Sequence, residues 1–171
     1  MNIAFARFEW TFEAERDGKT LWTEQGKNIV TYEGLNYMLN ASFKAGTQET
    51  AFYASMFKNN VVPALTDTAA TALGSGGLYG EVTDDDMEPL TNRPQVIWGD
   101  VTDGVVDNAD NRLEFTCVAS SLTLYGGFLT TTQPKLDTSG KLICAKRFDV
   151  PRTLIQNDIL YVIVRIILVS G

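Results

Sequence analysis

At 171 residues, with 44% apolar and 20% charged side chains, the chain is long enough to bury one core without metals or disulfides and too apolar to be wholly disordered. Acidic residues outnumber basic ones 21 to 14, and the resulting charge of −7 repels phosphate backbones and anionic lipid, so neither nucleic acid nor membrane is expected as a direct partner. Histidine is absent, which removes the commonest general base, the usual partner of a Ser or Cys nucleophile and the commonest metal ligand.

Met1 to Phe12 shows no basic stretch followed by a continuous apolar run, so no cleavable leader is expected and the chain reads as made in the cytoplasm. The first segment carries Trp10 and Phe12 toward Arg16-Asp17-Gly18-Lys19, where Asp-Gly marks a two-residue hairpin turn, and Leu21 to Thr23 returns as the second strand. Leu35, Met38, Leu39 and Phe43 fall at helical spacing, and Thr31 stands where an N-cap is needed, so one helix is predicted over 31–43. Phe52 to Phe57 reads as a short aromatic strand.

From Lys58 to about Arg93 the character changes to Ala, Thr, Gly and Ser, with Asp84-Asp85-Asp86 ahead of Pro89 and Pro94. This stretch is expected to bury little and to form a long, flexible surface excursion serving as an arm to a neighbouring subunit. Its contacts are assigned to Leu73, Leu78, Tyr79, Asp84, Asp85, Asp86, Met87 and Leu90. Strand-like runs follow at Gln95–Trp98, Arg112–Ala119, Leu122–Leu129, Lys141–Asp149 and Ile159–Val169, separated by turn-forming residues. Both alternating sets of the last run are apolar apart from Arg165, which predicts a central strand covered on both faces, or on one face by a partner subunit. The expected fold is mainly β: a single antiparallel β-sandwich over 1–171, jelly-roll-like or immunoglobulin-like, with its core on Trp10, Leu35, Phe115, Leu124, Phe148 and Tyr161.

No catalytic, cofactor-binding or metal-binding residue is assigned. Cys117 and Cys144 lie in apolar, strand-like segments and read as free core thiols; two cysteines without histidine cannot close a zinc site. Asp84 to Asp86 read as a solvated loop before a catalytic acid pair. Asp100, Asp103, Asp107 and Asp110 lack the spacing of a calcium loop and read as turn residues. Gly74 to Gly77 lacks the Lys-Ser/Thr of a phosphate loop, and the three tryptophans read as core before ligand platform.

Three patches, in order, resemble small structural proteins of tailed phages. Asn28-Ile29-Val30-Thr31-Tyr32-Glu33-Gly34-Leu35 with Met38-Leu39 is similar to their opening "N-x-[VI]-[TV]-x-x-G-L-x-x-[LM]-L". Ser121 to Leu129 resembles a strand that ends in an aromatic or aliphatic residue, a glycine and a small residue. Ser139-Gly140-Lys141-Leu142, Phe148, Arg152 and Asp158 to Val162 are similar to "G-x-L … F … R-x-[LV]-x-x-G-D-x-L-x-V", with Asn157 in place of the glycine; asparagine also enters the left-handed region that such a turn requires. The resemblance covers about half the chain and implies a non-enzymatic virion part without a cofactor. The expected role is a capsid decoration or cement protein, homo-oligomeric with a trimer favoured, bound to the major capsid protein or other virion subunits and stabilising the head. A neck, tail or fibre-associated subunit is the alternative, and a carbohydrate-binding module stands behind both.

Overall fold

The computed structural model describes residues 4–170, with side-chain surroundings from Arg7 to Leu168; residues 1–3 and 171, part of the expected domain and, for the first three, of the leader reading, lie outside the described residues. Two antiparallel sheets face each other. Ala4–Arg16 (β1), Lys19–Lys27 (β2), Met87–Glu88 (β5), Val105–Asp107 (β6), Leu113–Cys117 (β7) and Ile159–Ser170 (β10) form the first, in the order β2-β1-β10-β7-β5 with β6 also on β10. Ile29–Val30 (β3), Tyr53–Phe57 (β4), Ser121–Thr130 (β8) and Leu142–Ile155 (β9) form the second, ordered β3-β9-β8-β4. The helix Tyr32–Phe43 (α1) and the single turn Ala69–Ala72 (α2) lie outside them. The mainly β sandwich expected from the strand pattern is what the chain forms.

Strand periodicity builds the core between the sheets. Phe8, Trp10, Phe12 and Ala14 of β1 alternate inward with Leu160, Val162 and Val164 of β10, and meet Ala54, Met56, Leu124 and Phe148 of the second sheet. Phe12 takes the edge of Phe148 at 4.7 Å between ring centroids. Trp10, Phe115, Leu124 and Phe148 are core as expected; Leu35 and Tyr161 are only half-buried, Tyr161 because it stands on the outer face of β10 beneath the Arg112 guanidinium, 4.1 Å from the ring centroid. The last strand is central, between β1 and β7, and its outward set, Ile159, Tyr161 and Ile163, is half-buried by its neighbours.

The turns follow their residues. Asp17 and Gly18 both take positive φ, 53° and 71°, closing the β1–β2 hairpin with Arg16 opposite Lys19. The second strand of that hairpin runs to Lys27, well past Thr23. Asn157, at φ 72°, makes the turn expected of it between β9 and β10. Strand β9 extends past Asp149 through Pro151 because the β8–β9 register jumps: Leu124 pairs with Arg152 but Gly126 with Arg147, so 148–151 bulges and Pro151 costs no ladder bond. Glu24 of β2, nearly buried, holds that bulge by accepting from the Asp149 amide (2.7 Å), Arg152 Nε (3.1 Å) and Lys146 Nζ (3.5 Å). Gln95–Trp98 is not a strand: only a Tyr53–Gln95 bridge forms, and Trp98 packs its ring on Phe52.

Asp158, fully buried beside the Asn157 turn, accepts from both Arg16 Nε and Nη2 at 2.7 Å and from the Ile155 amide at 2.8 Å. The Arg16 hydrogen bonds, helped by the Ile155 amide, hold its carboxyl below the usual carboxylate range. A folded-state value below the unfolded one, about 3.9, means that this stabilisation is complete above that value and is lost as pH falls through the depressed one. The urea midpoint of the wild-type chain is therefore expected to drop between pH 5 and pH 3 more steeply than that of Asp158→Asn; parallel slopes would show that Asp158 does not carry acid sensitivity.

The expectation that 58–93 buries little is corrected by the structure. Phe57, Phe128, Leu142 and Ala145 on the outer face of the second sheet are covered by Ala69, Ala72, Leu73 and Tyr79, a second apolar cluster. Small residues allow this: they bring the backbone close to the sheet, while a few large side chains fill the space beneath. Tyr79 OH donates to Asp67 (2.9 Å), which also accepts from the Ala64 amide; burial first, then Asp67, pushes the phenol pKa up. The stretch ends on a fully buried ion pair. Arg93 Nε and Nη2 donate to the two oxygens of Glu81 at 2.8 Å each, and further to the carbonyls of Thr132 and Asp137, while Glu81 accepts from the Leu136 amide.

Candidate interaction surface

Helix α1 is held to β9 at its first turn. Buried Thr31 caps it, accepting from the Gly34 amide (3.0 Å), giving its own amide to the Ile143 carbonyl (3.1 Å) and donating its hydroxyl to the Leu142 carbonyl. Glu33 accepts from the Leu142 amide (2.7 Å) and the Ala69 amide (2.8 Å), tying α1 to β9 and to α2. Gly34 is the only α1 residue fully buried, and a Cβ there would collide with the Ile143 carbonyl oxygen. The helix therefore approaches the sheet most closely at Gly34, with Tyr37 and Met38 packing beside it.

Tyr37 and Met38, to either side of Gly34 and Ala41, pack half-buried against the core, and the opposite face of the helix is apolar as well. At 100° per residue, Tyr32, Leu39 and Phe43 fall within about 40° of one another and roughly opposite Gly34 and Ala41. They are 52%, 56% and 82% exposed, with half-buried Leu35 on their flank. Leu65, whose carbonyl accepts from the Tyr32 amide (2.8 Å), and Val62 add exposed apolar side chains on the adjoining loop. Asn36, Asn40 and Ser42 border the stripe, so its only ionisable neighbours on the helix and its cap are Glu33 and Lys44, at opposite ends. A contiguous exposed apolar patch of this kind is a candidate contact surface. The helical spacing is readable from sequence, which places Leu35 alone of this series in the core; Leu35 is only half-buried while Met38 packs on the core, and glycine at position 34 is the signal that the close approach to the sheet lies there.

The predicted contacts of the central segment divide. Leu73, Tyr79 and Met87 are buried in the chain's own core, so their side chains reach no partner, which corrects that part of the assignment. Met87 lies in β5, paired with Cys117 of β7. Leu78, Leu90, Asp84 and Asp85 are exposed. Asp86 is occupied internally: it accepts from Lys58 (2.6 Å) and from the Thr83 amide and hydroxyl, and although burial opposes them, these bonds hold its carboxyl below the usual range. The eight residues do not form one patch.

Other candidate chemistry is sparse. Asp100, Asp103, Asp107 and Asp110 line one shallow hollow of about 500 Å³ with Arg165, whose Nε lies 3.7 Å from Asp107, and Asp107 caps the Ala109 amide, as a turn residue does. Among the described residues no group of three or more Cys, Asp and Glu is disposed to hold a metal ion, and no helix is long and apolar enough to cross a membrane. Cys117 and Cys144 are free and buried, and burial pushes both thiols up, leaving them protonated and poorly nucleophilic. Gly74 to Gly77 follows α2, with the Gly77 amide bonded to the Gly74 carbonyl, and forms a turn. Trp10 is buried and Trp22 and Trp98 are half-buried against the core.

Fold and surface together define a β-sandwich with an outward apolar helix. No protein-family model matches the chain, and no curated protein matches it.

Proposed function

We propose that this protein is a structural subunit of a tailed-phage particle, in the role of a capsid decoration protein that binds the major capsid lattice and stabilises the head. The observation that carries a subunit role is the α1 stripe: Tyr32, Leu39 and Phe43 are presented to solvent by a helix whose position is fixed at Thr31, Glu33 and Gly34. A self-contained monomer gains nothing by turning this face outward, whereas a subunit uses it to bury apolar area against a neighbour. The virion placement rests on the sequence resemblance. It is supported by the location of the resembling residues at structural positions: Thr31 and Gly34 at the helix seat, Arg152 in the Glu24 clamp and Asp158 in the Arg16 pair. Binding would add modest contacts over many copies, including exposed Leu78, Leu90, Asp84 and Asp85.

Cryo-electron microscopy of purified particles carrying this chain tests the reading. Density of the sandwich recurring over the icosahedral shell is expected. Density confined to the portal vertex would replace decoration by a neck or tail role, and particles without the chain would overturn the virion reading.

A further inference from the structure

We infer that the polar side of α1 forms a binding site for a neutral sugar residue. The inference rests neither on the virion reading nor on what covers the apolar stripe. Glu33, Asn36, Tyr37 and Asn40, spaced i, i+3, i+4 and i+7, share one face of the helix, and this face turns toward the loop after α1, Thr68 and Lys141. Between them lies a hollow of about 490 Å³, in the size range of small-molecule sites, and its lining joins aromatic rings to a few convergent polar groups as such sites do. The walls are fixed by bonds made behind them. The Gly46 amide donates to the Asn40 carbonyl and the Glu49 amide to the Tyr37 hydroxyl, each at 2.9 Å, which fastens the loop 44–49 to the helix. Glu33 is seated through one oxygen, Oε2, by the Leu142 and Ala69 amides, so its carboxylate is oriented before any ligand arrives. Its Oε1 stands outside this pairing, with Lys141 Nζ 3.9 Å away, beyond hydrogen-bond range. Groups held in this way lose little freedom when a ligand binds.

Charge and donor chemistry decide the class of ligand. Glu33 and Lys141 are opposite in sign and adjacent, so neither an anion nor a cation meets a net field in the hollow, and the −7 of the whole chain disfavours anions further. An apolar ligand would strip water from Glu33 Oε1 and the Lys141 ammonium and return nothing to them. The other polar groups, the Asn36 and Asn40 amides and the Thr47 hydroxyl, each offer both a donor and an acceptor. Sugar hydroxyls also donate and accept. Two adjacent ones match a carboxylate oxygen beside an ammonium, one giving its proton to Glu33 Oε1 and the other accepting from Lys141. The rings of Tyr32, which is 52% exposed, and Tyr37 supply apolar surface for the C–H face of a pyranose, whose weakly positive hydrogens suit the negative face of an aromatic ring.

Amide NMR spectra of the full chain, titrated with the methyl glycosides of glucose, galactose, mannose and N-acetylglucosamine, test the site. At least one of these is expected to move the Asn36 and Asn40 side-chain amides and the Gly46 and Thr47 backbone signals, saturating with a dissociation constant on the order of millimolar. Asn40→Ala and Tyr32→Ala, both at exposed positions, are expected to weaken that binding at least about tenfold with unchanged thermal midpoints. Leu39→Ala, on the neighbouring stripe, is expected to leave it as it is. The same titration with sodium phosphate and with sodium acetate is expected to leave these signals in place. Silence toward every glycoside far above millimolar concentration, shifts that fall outside the hollow, binding indifferent to both Asn40→Ala and Tyr32→Ala, or a response to the anions alone would each overturn the inference. A sugar-binding chain that is missing from particles would sink only the virion reading, and a chain that decorates the shell but ignores every glycoside only the site.

Discussion

Replacing Arg93 by methionine is expected to lower unfolding free energy by about 3–5 kcal/mol, the cost of leaving a buried carboxylate without its partner. Both side chains of the Arg93–Glu81 pair are fully buried. The loss extends beyond one ion pair, because Arg93 also satisfies the carbonyls of Thr132 and Asp137 and places its guanidinium 5.5 Å from the centre of the Phe128 ring. With Arg93 gone, Glu81 keeps the Leu136 amide but is a fully buried carboxylate without its ion-pair partner. The double change Glu81→Met with Arg93→Met should cost less than Arg93→Met alone, since it removes the orphaned charge, yet it should not return to wild type, because two carbonyls and one amide still lose partners. Urea unfolding with an unchanged slope measures each value, and limited proteolysis between 58 and 93 reports where the structure loosens. A cost under about 1 kcal/mol for Arg93→Met would mean that the pair does not pin this segment.

Trp10→Ala is expected to cost about 3–5 kcal/mol through the cavity it leaves. Trp10 is 1% exposed, stacks on Phe12 at 5.4 Å between centroids and stands near the middle of the inward row of β1. With the Asn28 amide turned so that its oxygen faces the indole, the Trp10 N–H donates to that oxygen (2.9 Å) and the Asn28 nitrogen donates to the Phe8 carbonyl (3.0 Å), so the ring also fixes the entry into β3 and α1. Trp10→Phe separates the two contributions: it fills most of the volume and loses only the hydrogen bond, for an expected cost of about 1–2 kcal/mol. Equal losses for the two variants would assign the effect to Asn28 instead of to packing.

The parts of this fold that could be read from sequence were those decided locally. Asp17-Gly18 carries its turn geometry in the residue types, Thr31 its capping oxygen, and the inward row from Phe8 to Phe12 its period of two. Asn157 could be placed for the same reason, since few other residues enter the left-handed region at low cost. What could not be read depended on partners far along the chain. Composition suggests that 58–93 is exposed, but its burial is decided by Phe57, Phe128 and Leu142 on a sheet face that would otherwise be bare, and by Arg93 meeting Glu81. Tyr79, Leu73 and Met87 therefore read from composition as partner contacts and are core instead. The bulge at 148–151 is set by Glu24 across the sandwich, and Pro151 is its local mark in the sequence. On α1 the period is readable but the facing is not: a helical stripe does not state which side meets the sheet, and here a backbone contact at Gly34 decides it, leaving Leu35 half-buried.

The pairing of β1 with β10, in register from Ala4 with Ser170 to Glu15 with Ile159, bears on the order in which the molecule assembles. These strands are nearly the whole chain apart in sequence, so closing them carries one of the largest loop-entropy costs the molecule faces, whereas β8 and β9 are separated by a short connection and can pair early. During synthesis β1 emerges before its central neighbour exists, and Phe8, Trp10 and Phe12 can find cover at first only from the β2 hairpin and the second sheet. The first sheet becomes continuous when β10, which follows every other strand of the two sheets, inserts between β1 and β7, making it the strand that closes the sandwich and the interval before its arrival a period in which the chain is prone to aggregate.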